Sequence, residues 1–266
     1  MDTSKGGAGA CIVAVASQKG GTGKTTSVHA LGVALAKAGK RVLLVDLDPQ
    51  ASLTISVGIE PLEISKNVTS ILSKATGGST ARESVTSLSE RLHIITSIID
   101  LAQLEVDLIS RASRERILER ALAPIKSDYD FILIDCPPHL GVLTVNALSC
   151  ADFVLVPVKT DYLAYRGLAQ LQAIISEIQE YVNPKLRLLG VIATLFEVNV
   201  NDDRSILHLL KKSYPVLGVI KRLAATKRGV IDGRCVVEIA PTSENAVAYT
   251  KIAAIIQKER EVAYSE

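Results

Sequence analysis

Seven short runs are apolar at nearly every position: CIVAVA (11–16), RVLLVD (41–46), LHIIT (92–96), FILIDC (131–136), FVLVPV (153–158), LRLLGVIAT (186–194) and PVLGVI (215–220). Continuous Val, Ile and Leu without polar alternation suits strands covered on both faces. Between them lie longer segments with apolar residues at helical spacing, including TTSVHALGVALAKAGK (25–40), SRERILERALAPI (113–125) and LAQLQAIISEIQEYV (168–182). Strands alternating with amphipathic helices predict an α/β fold, a doubly wound, mostly parallel sheet flanked by helices. Gly39, followed by Lys40 and Arg41, stands where the first helix should end, since a glycine stop and nearby cations suit a helix C-terminus. The stretch SKATGGSTARES (73–84) reads as a surface loop or loose helical excursion. Residues 1–10 read as a flexible N-terminal segment and 11–260 as a single domain, with no linker composition inside it.

Composition narrows the class. In 266 residues, 30 Lys and Arg stand against 28 Asp and Glu, and 48% of positions are hydrophobic, enough to bury a full core. Tryptophan is absent and aromatics make up only 4%, so that core should be aliphatic. The four cysteines form no C-x-x-C pair, which argues against a disulfide framework, a zinc ribbon or an iron–sulfur scaffold and fits a reducing cytosol. No apolar stretch approaches the roughly 18–20 residues needed to cross a bilayer, and the N-terminus carries no signal-like apolar core, so a cytoplasmic, unanchored protein is expected.

The first apolar run leads into SQKGGTGKTT (17–26). A strand, a glycine-rich turn and a helix opening on Lys-Thr-Thr present backbone N–H groups at a helix N-terminus, a ready anion site. Lys24 would reach terminal phosphates and the Thr25 hydroxyl would ligate Mg²⁺. The common spacing G-x-x-x-x-G-K-[ST] wants glycine where this chain has Gln18; here the glycines are Gly20, Gly21 and Gly23, and a second lysine, Lys19, stands at the loop's mouth. Asp46 and Asp48 follow the second apolar run and Asp135 ends the fourth. All three thus lie at the C-terminal ends of strands, where such sheets bind ligands, and Asp135 could hold Mg²⁺ through a water.

The pattern K-G-G-x-G-K-T-T is a deviant Walker motif, and with RVLLVDLDPQ (41–50), IIDLAQLEVDLI (98–109), YDFILIDCPPHLGVLTVNAL (129–148) and ADFVLVPVKTDYLAYRGLAQL (151–171) the chain resembles the ParA/MinD group of partitioning and positioning ATPases, closest to small ParA proteins of the Soj type. The resemblance covers nearly the whole length. It implies a deviant P-loop NTPase fold of the SIMIBI type and slow hydrolysis of ATP with Mg²⁺. It also implies an ATP contact set of Lys19, Gly20, Gly21, Thr22, Gly23, Lys24, Thr25 and Thr26. In that family the extra lysine crosses a dimer interface to the phosphates of ATP in the partner, so Lys19 is the residue expected to make ATP the glue of a homodimer. Asp48 is expected to orient the attacking water, Asp46 to support a Mg²⁺ shell formed with Thr25 and Asp135, and Pro137, Pro138 and Gly141 to shape a loop that senses the γ-phosphate. No arginine finger is evident, so a cargo-bound, ParB-like stimulating protein is expected.

Between positions 204 and 234 the charged residues are Arg204, Lys211, Lys212, Lys221, Arg222, Lys227, Arg228 and Arg234 against Asp232 alone. Such an excess in a nearly neutral chain points to a polyanion. Lys211, Lys212, Lys221, Arg222, Lys227, Arg228 and Arg234 are the candidate contacts for nonspecific duplex DNA, the first four expected to share one face. The resemblance adds a nucleoid-associated protein, although Asn199 and TKRG (226–229) depart from the common small-ParA pattern. A MinD-like membrane ATPase is the alternative. The tail TKIAAIIQKEREVAYSE (250–266) mixes acids with bases and suits an anionic bilayer poorly, so no membrane partner is expected. A cluster-binding ATPase would need paired cysteine ligands, and Cys136 alone reads as a small buried hydrophobe. The four histidines show no metal-like spacing.

Overall fold

The apolar runs become strands in the computed structural model, which describes residues 9–73, 80–222 and 232–265. They are β1 (Cys11–Val15), β2 (Val42–Asp46), β3 (Val85–Ser87), β4 (Leu92–Ile95), β5 (Phe131–Asp135), β6 (Phe153–Lys159), β7 (Arg187–Phe196) and β8 (Val216–Lys221). One sheet holds them in the order β3-β4-β2-β5-β1-β6-β7-β8. Its pairings are parallel except for β3 against β4. β3 had no signal in the sequence because it is three residues long, only partly buried and at an edge.

Parallel strands need crossovers, and the crossovers cover both faces. The helices are α1 (Lys24–Lys37), α2 (Ser52–Ser56), α3 (Val68–Leu72), α4 (Leu101–Leu108), α5 (Ile117–Leu122), α6 (Val142–Cys150), α7 (Tyr162–Tyr181), α8 (Asn201–Ser213), α9 (Val236–Ile239) and α10 (Glu244–Ala263). Cys11, Val13 and Val15 of β1 face the layer of α1, α9 and α10. Ile12 and Ala14, pointing the other way, pack with α3 through α8. Both faces of β1 are therefore dry.

Helix α1 closes as expected: the Lys40 N–H donates to Leu35 O at 3.1 Å and the Gly39 N–H to Ala36 O at 2.9 Å, a Schellman pair. The segment 113–125 does not form one helix. It divides into a 3₁₀ turn (Arg114–Arg116), α5 and a second 3₁₀ turn (Ala123–Asp128), and Pro124, which supplies no N–H to the ladder, marks the end of α5.

The topology places the site. From β1 the chain crosses to β2 on one side, while β6, β7 and β8 build the other, so the winding reverses beside β1. In register, Asp135 of β5 lies between Val15 of β1 and Asp46 of β2. The loop after β1 and the three aspartates converge at this end of the sheet.

Candidate nucleotide site

The loop between β1 and α1 is shaped by two residues with positive φ, Gly21 at 70° and Gly23 at 84°, a region that strains residues bearing a β-carbon. Gly23 is the N-cap residue of α1 and offers no side chain to the helix's first N–H groups. Those donors remain available to an anion. Thr194 of β7 pins the loop, its hydroxyl donating to Thr22 O at 2.7 Å, and Thr22 Oγ1 donates to Lys19 O at 3.3 Å. Lys24 is buried and its Nζ donates to Lys19 O at 3.4 Å. Burial pushes its ammonium below the usual lysine range, opposed by Asp135, Cys136 and Asp48. Gly20, Gly21 and Thr26 are exposed around the mouth.

Beneath the loop, Thr25 Oγ1 donates to Asp135 Oδ2 at 2.7 Å. Asp135 Oδ1 is buried and accepts no hydrogen bond among the described residues. Burial, and then the neighbouring Asp46, push the Asp135 carboxyl well above the ordinary carboxylate range. Asp46 is also fully buried, but its oxygens are satisfied: Oδ2 accepts from the Thr54 N–H and hydroxyl, both at 2.8 Å, and Oδ1 from the Asp48 N–H at 3.2 Å. Burial raises it to about 6, against the pull of those bonds. Asp46 thus holds the backbone that carries Asp48. The Asp48 carboxylate, 8% exposed, accepts the Gln50 N–H at 2.9 Å in a local turn. Asp135 and Asp48 act on the buried Lys24, Asp135 Oδ1 accepts no hydrogen bond among the described residues, and the Thr25 hydroxyl stands beside it. A hard divalent cation such as Mg²⁺ fits that oxygen donor set and charge.

Lys19 lies outside this cluster. Its Nζ donates to Asp161 at 2.9 Å (Oδ2) and 3.1 Å (Oδ1), and Lys159 approaches the same carboxylate at 3.1 Å. Asp161 also caps α7, accepting the Ala164 N–H at 2.7 Å. Partial burial would raise its carboxyl, but the bonds from Ala164, Lys19 and Lys159 outweigh it and draw the group down to about 2. Between the loop and α7 opens a cavity of about 750 Å³ bordered by Ser17, Gln18, Lys19, Leu163 and Tyr214.

The segment after Asp135 is tied to α4. His139 Nε2 lies 3.0 and 3.1 Å from the two Glu105 oxygens, and Thr144 Oγ1 donates to His139 O at 2.7 Å. Cys136 and Pro137 are buried. Sequence reading singled out neither Asp161, Glu105, Thr54 nor Thr194. A cap signal was present at Asp161, an aspartate directly before the α7 pattern.

The described lysine and arginine pairs sit at opposite ends of β8. Lys211 and Lys212 are exposed in the last turn of α8, just before β8, while Lys221 ends that strand and Arg222 follows it. A strand of six residues separates the pairs by roughly 20 Å. Lys221 is ion-paired with Glu244 and Arg222 with Glu197 at 2.8 Å. Arg234 is exposed. Lys227 and Arg228 lie outside the described residues.

Comparison with known proteins agrees with this geometry. Residues 10–188 match a family described as an AAA domain. The sporulation initiation inhibitor protein Soj of Bacillus subtilis is 38% identical over 245 residues, 91% of this chain and 96% of Soj. Among solved structures, a Mycobacterium smegmatis protein named cobyrinic acid a,c-diamide synthase, with bound ADP and magnesium, superposes with a TM-score of 0.81 at 37% identity over 96% of each chain. A plasmid partition protein of Borrelia burgdorferi gives a TM-score of 0.77 at 26% identity, over 95% of this chain and 100% of that one.

Proposed function

This chain belongs to the ParA/MinD family of ATPases, and from that membership we propose that it is an ATP-driven positioning switch that dimerises around ATP, binds duplex DNA without base readout, and lets go when a cargo-bound partner stimulates hydrolysis. The observation that carries the reading is the different setting of the loop's two lysines. Lys24 is buried where it can serve its own nucleotide, whereas the Lys19 side chain is 41% exposed and points away from that cluster to Asp161.

In this reading the phosphates of ATP lie against the uncapped N-terminus of α1 and the loop 19–26, with Lys24 at the terminal phosphates. Magnesium, held by Thr25 and Asp135, would neutralise phosphate charge as the bond to the γ-phosphate breaks. Asp48 accepts a hydrogen bond from the attacking water and aligns it. Asp46 acts through Asp48, fixing its backbone and the N-terminus of α2. Lys19 leaves Asp161 and reaches the partner's nucleotide, so loss of the γ-phosphate loosens the dimer. Positioning and charge supply the catalysis, and slow turnover without a partner follows. The relatives named as partition proteins, and Soj, support the positioning role.

DNA contacts in this proposal come from Lys211, Lys212, Lys221, Arg222, Lys227, Arg228 and Arg234, and a nucleoid-associated cytoplasmic location follows from them. The membrane alternative is disfavoured by α10, which spends Ala246, Tyr249, Ile252 and Ile256 on the core. Among the described residues no helix is long and apolar enough to cross a membrane. The amide-forming chemistry in the M. smegmatis protein's name, if fed by glutamine, calls for a reactive thiolate. All four cysteines here are buried, and burial pushes each thiol up.

Light scattering with ADP, with ATP, and with ATP plus nonspecific duplex tests the proposal. A dimer that forms with ATP and retains DNA supports it. An ATP dimer indifferent to DNA would remove the nucleoid from the account, and a monomer in ATP would remove the switch.

A further inference from the structure

Five residues along α1 from Lys24, His29 meets Cys235 and Glu238 of the α9 turn, and one ligand atom from each lies within 4.8 Å of the other two. From this geometry we propose that His29, Cys235 and Glu238 bind one zinc-class divalent ion, a site separate from the nucleotide site and independent of the function proposed above. Imidazole nitrogen, thiolate sulfur and carboxylate oxygen form a donor set that zinc takes readily and magnesium does not. Bonds of about 2.0–2.3 Å in a tetrahedron put ligand atoms roughly 3.4–3.8 Å apart, so closure needs shifts of about an ångström.

The surroundings are those of a built site. His29 and Cys235 are 5% and 7% exposed. The His29 ring is held at Nδ1 by Ser56 Oγ, 3.4 Å away, and that hydroxyl gives its hydrogen to Leu53 O at 2.8 Å. Cys235 and Glu238 cap one another's backbone, Glu238 Oε2 accepting the Cys235 N–H at 2.9 Å and the cysteine sulfur accepting from the Glu238 N–H. Both side chains are thereby fixed on one side of the turn. Lys37 Nζ, donating to Val237 O at 2.8 Å, holds that turn on α1. A cavity of about 410 Å³ bordered by His29, Lys37, Glu90, Gly233 and Glu238 supplies an entry path and room for water as a fourth ligand.

Protonation follows the same logic. Burial keeps the His29 imidazole below its ordinary pKa, against the opposing charge of Glu238. Burial first, and Glu238 next, push the Cys235 thiol up to about 12. Zinc binds the thiolate, so ion binding would release the thiol proton. Bound metal would lock the turn following Arg234 onto the helix that carries the phosphate loop.

The probe is Co²⁺, titrated into the full-length, reduced protein without nucleotide. One equivalent should produce a thiolate-to-cobalt absorption band that stoichiometric Zn²⁺ bleaches. Cys235→Ser should abolish the band, Glu238→Gln and His29→Asn should weaken Co²⁺ binding at least tenfold, and Cys150→Ser should leave it intact. Zinc should raise the melting temperature of the wild type and not that of Glu238→Gln, which preserves shape and capping. No band at one equivalent, or a band that survives Cys235→Ser, overturns the proposal. Because nucleotide is absent, neither result bears on the ATP switch.

Discussion

Lys19 Nζ lies 2.9 Å from Asp161 Oδ2, so the lysine expected to act on a partner's nucleotide is clasped within its own chain. Dimer formation must break that clasp. Asp161→Asn keeps an α7 cap, since asparagine caps as well as aspartate, but removes the charge that holds Lys19. An exposed pair of this kind is worth little, so the ATP dimer should form at roughly two- to fivefold lower protein concentration. Sedimentation across a dilution series checks this, and a dimer weakened by the change would contradict it.

The clasp also has a pH signature. The folded Asp161 carboxyl is depressed to about 2 from 3.8, so its stabilising contribution is fully present above about 4 and is lost as pH falls through about 2. Melting temperatures of wild type and Asp161→Asn should differ at pH 5 and converge near pH 2. A constant difference down to pH 2 would mean the carboxylate is not held in this way.

Thr54 joins Asp46 to Ser97. Its hydroxyl donates to Asp46 and accepts the Ser97 N–H at 2.9 Å. Thr54→Val leaves buried polar groups unpaired and should cost about 1–3 kcal/mol in urea unfolding. ATP hydrolysis should fall as well, because the Asp48 loop hangs on Asp46. Unchanged turnover in a folded variant would uncouple Asp46 from the water-positioning role given to Asp48.

On the DNA side, Lys221 and Arg222 already face acids while Lys211 and Lys212 are exposed without an ion pair among the described residues. Reversal of charge at Lys211 and Lys212 should therefore weaken DNA binding more than reversal at Lys221 and Arg222. For about six phosphates neutralised per dimer, the slope of log K against log salt should be about −5. Fluorescence anisotropy with labelled duplex measures both, and a flat salt response would argue against phosphate binding.

The strands were legible because each is apolar over its full length, the mark of burial on two faces. The short edge strand β3 carries no such mark, and Pro124 marks the end of α5 in a segment whose helical spacing looked continuous. Asp46, Asp48 and Asp135 were candidates because they stand at or just after the ends of apolar runs, and Lys24 and Thr25 because they close a glycine-rich turn at a helix start. Their partners could not. Asp161 lies 142 positions from Lys19 and Thr194 lies 172 from Thr22, and only the sheet order brings them together. Closeness in sequence likewise hid the length of β8 between the two basic pairs.

The central claim is that Lys19 acts across the dimer on ATP. Asp48→Ala should stall hydrolysis by about 100-fold or more and accumulate the ATP dimer. Adding Lys19→Ala to that variant isolates the lysine from turnover. Light scattering of Asp48→Ala and of the double variant in saturating ATP is the decisive measurement. The account predicts a dimer for the first and an ATP-loaded monomer for the second; a dimer in both would contradict it.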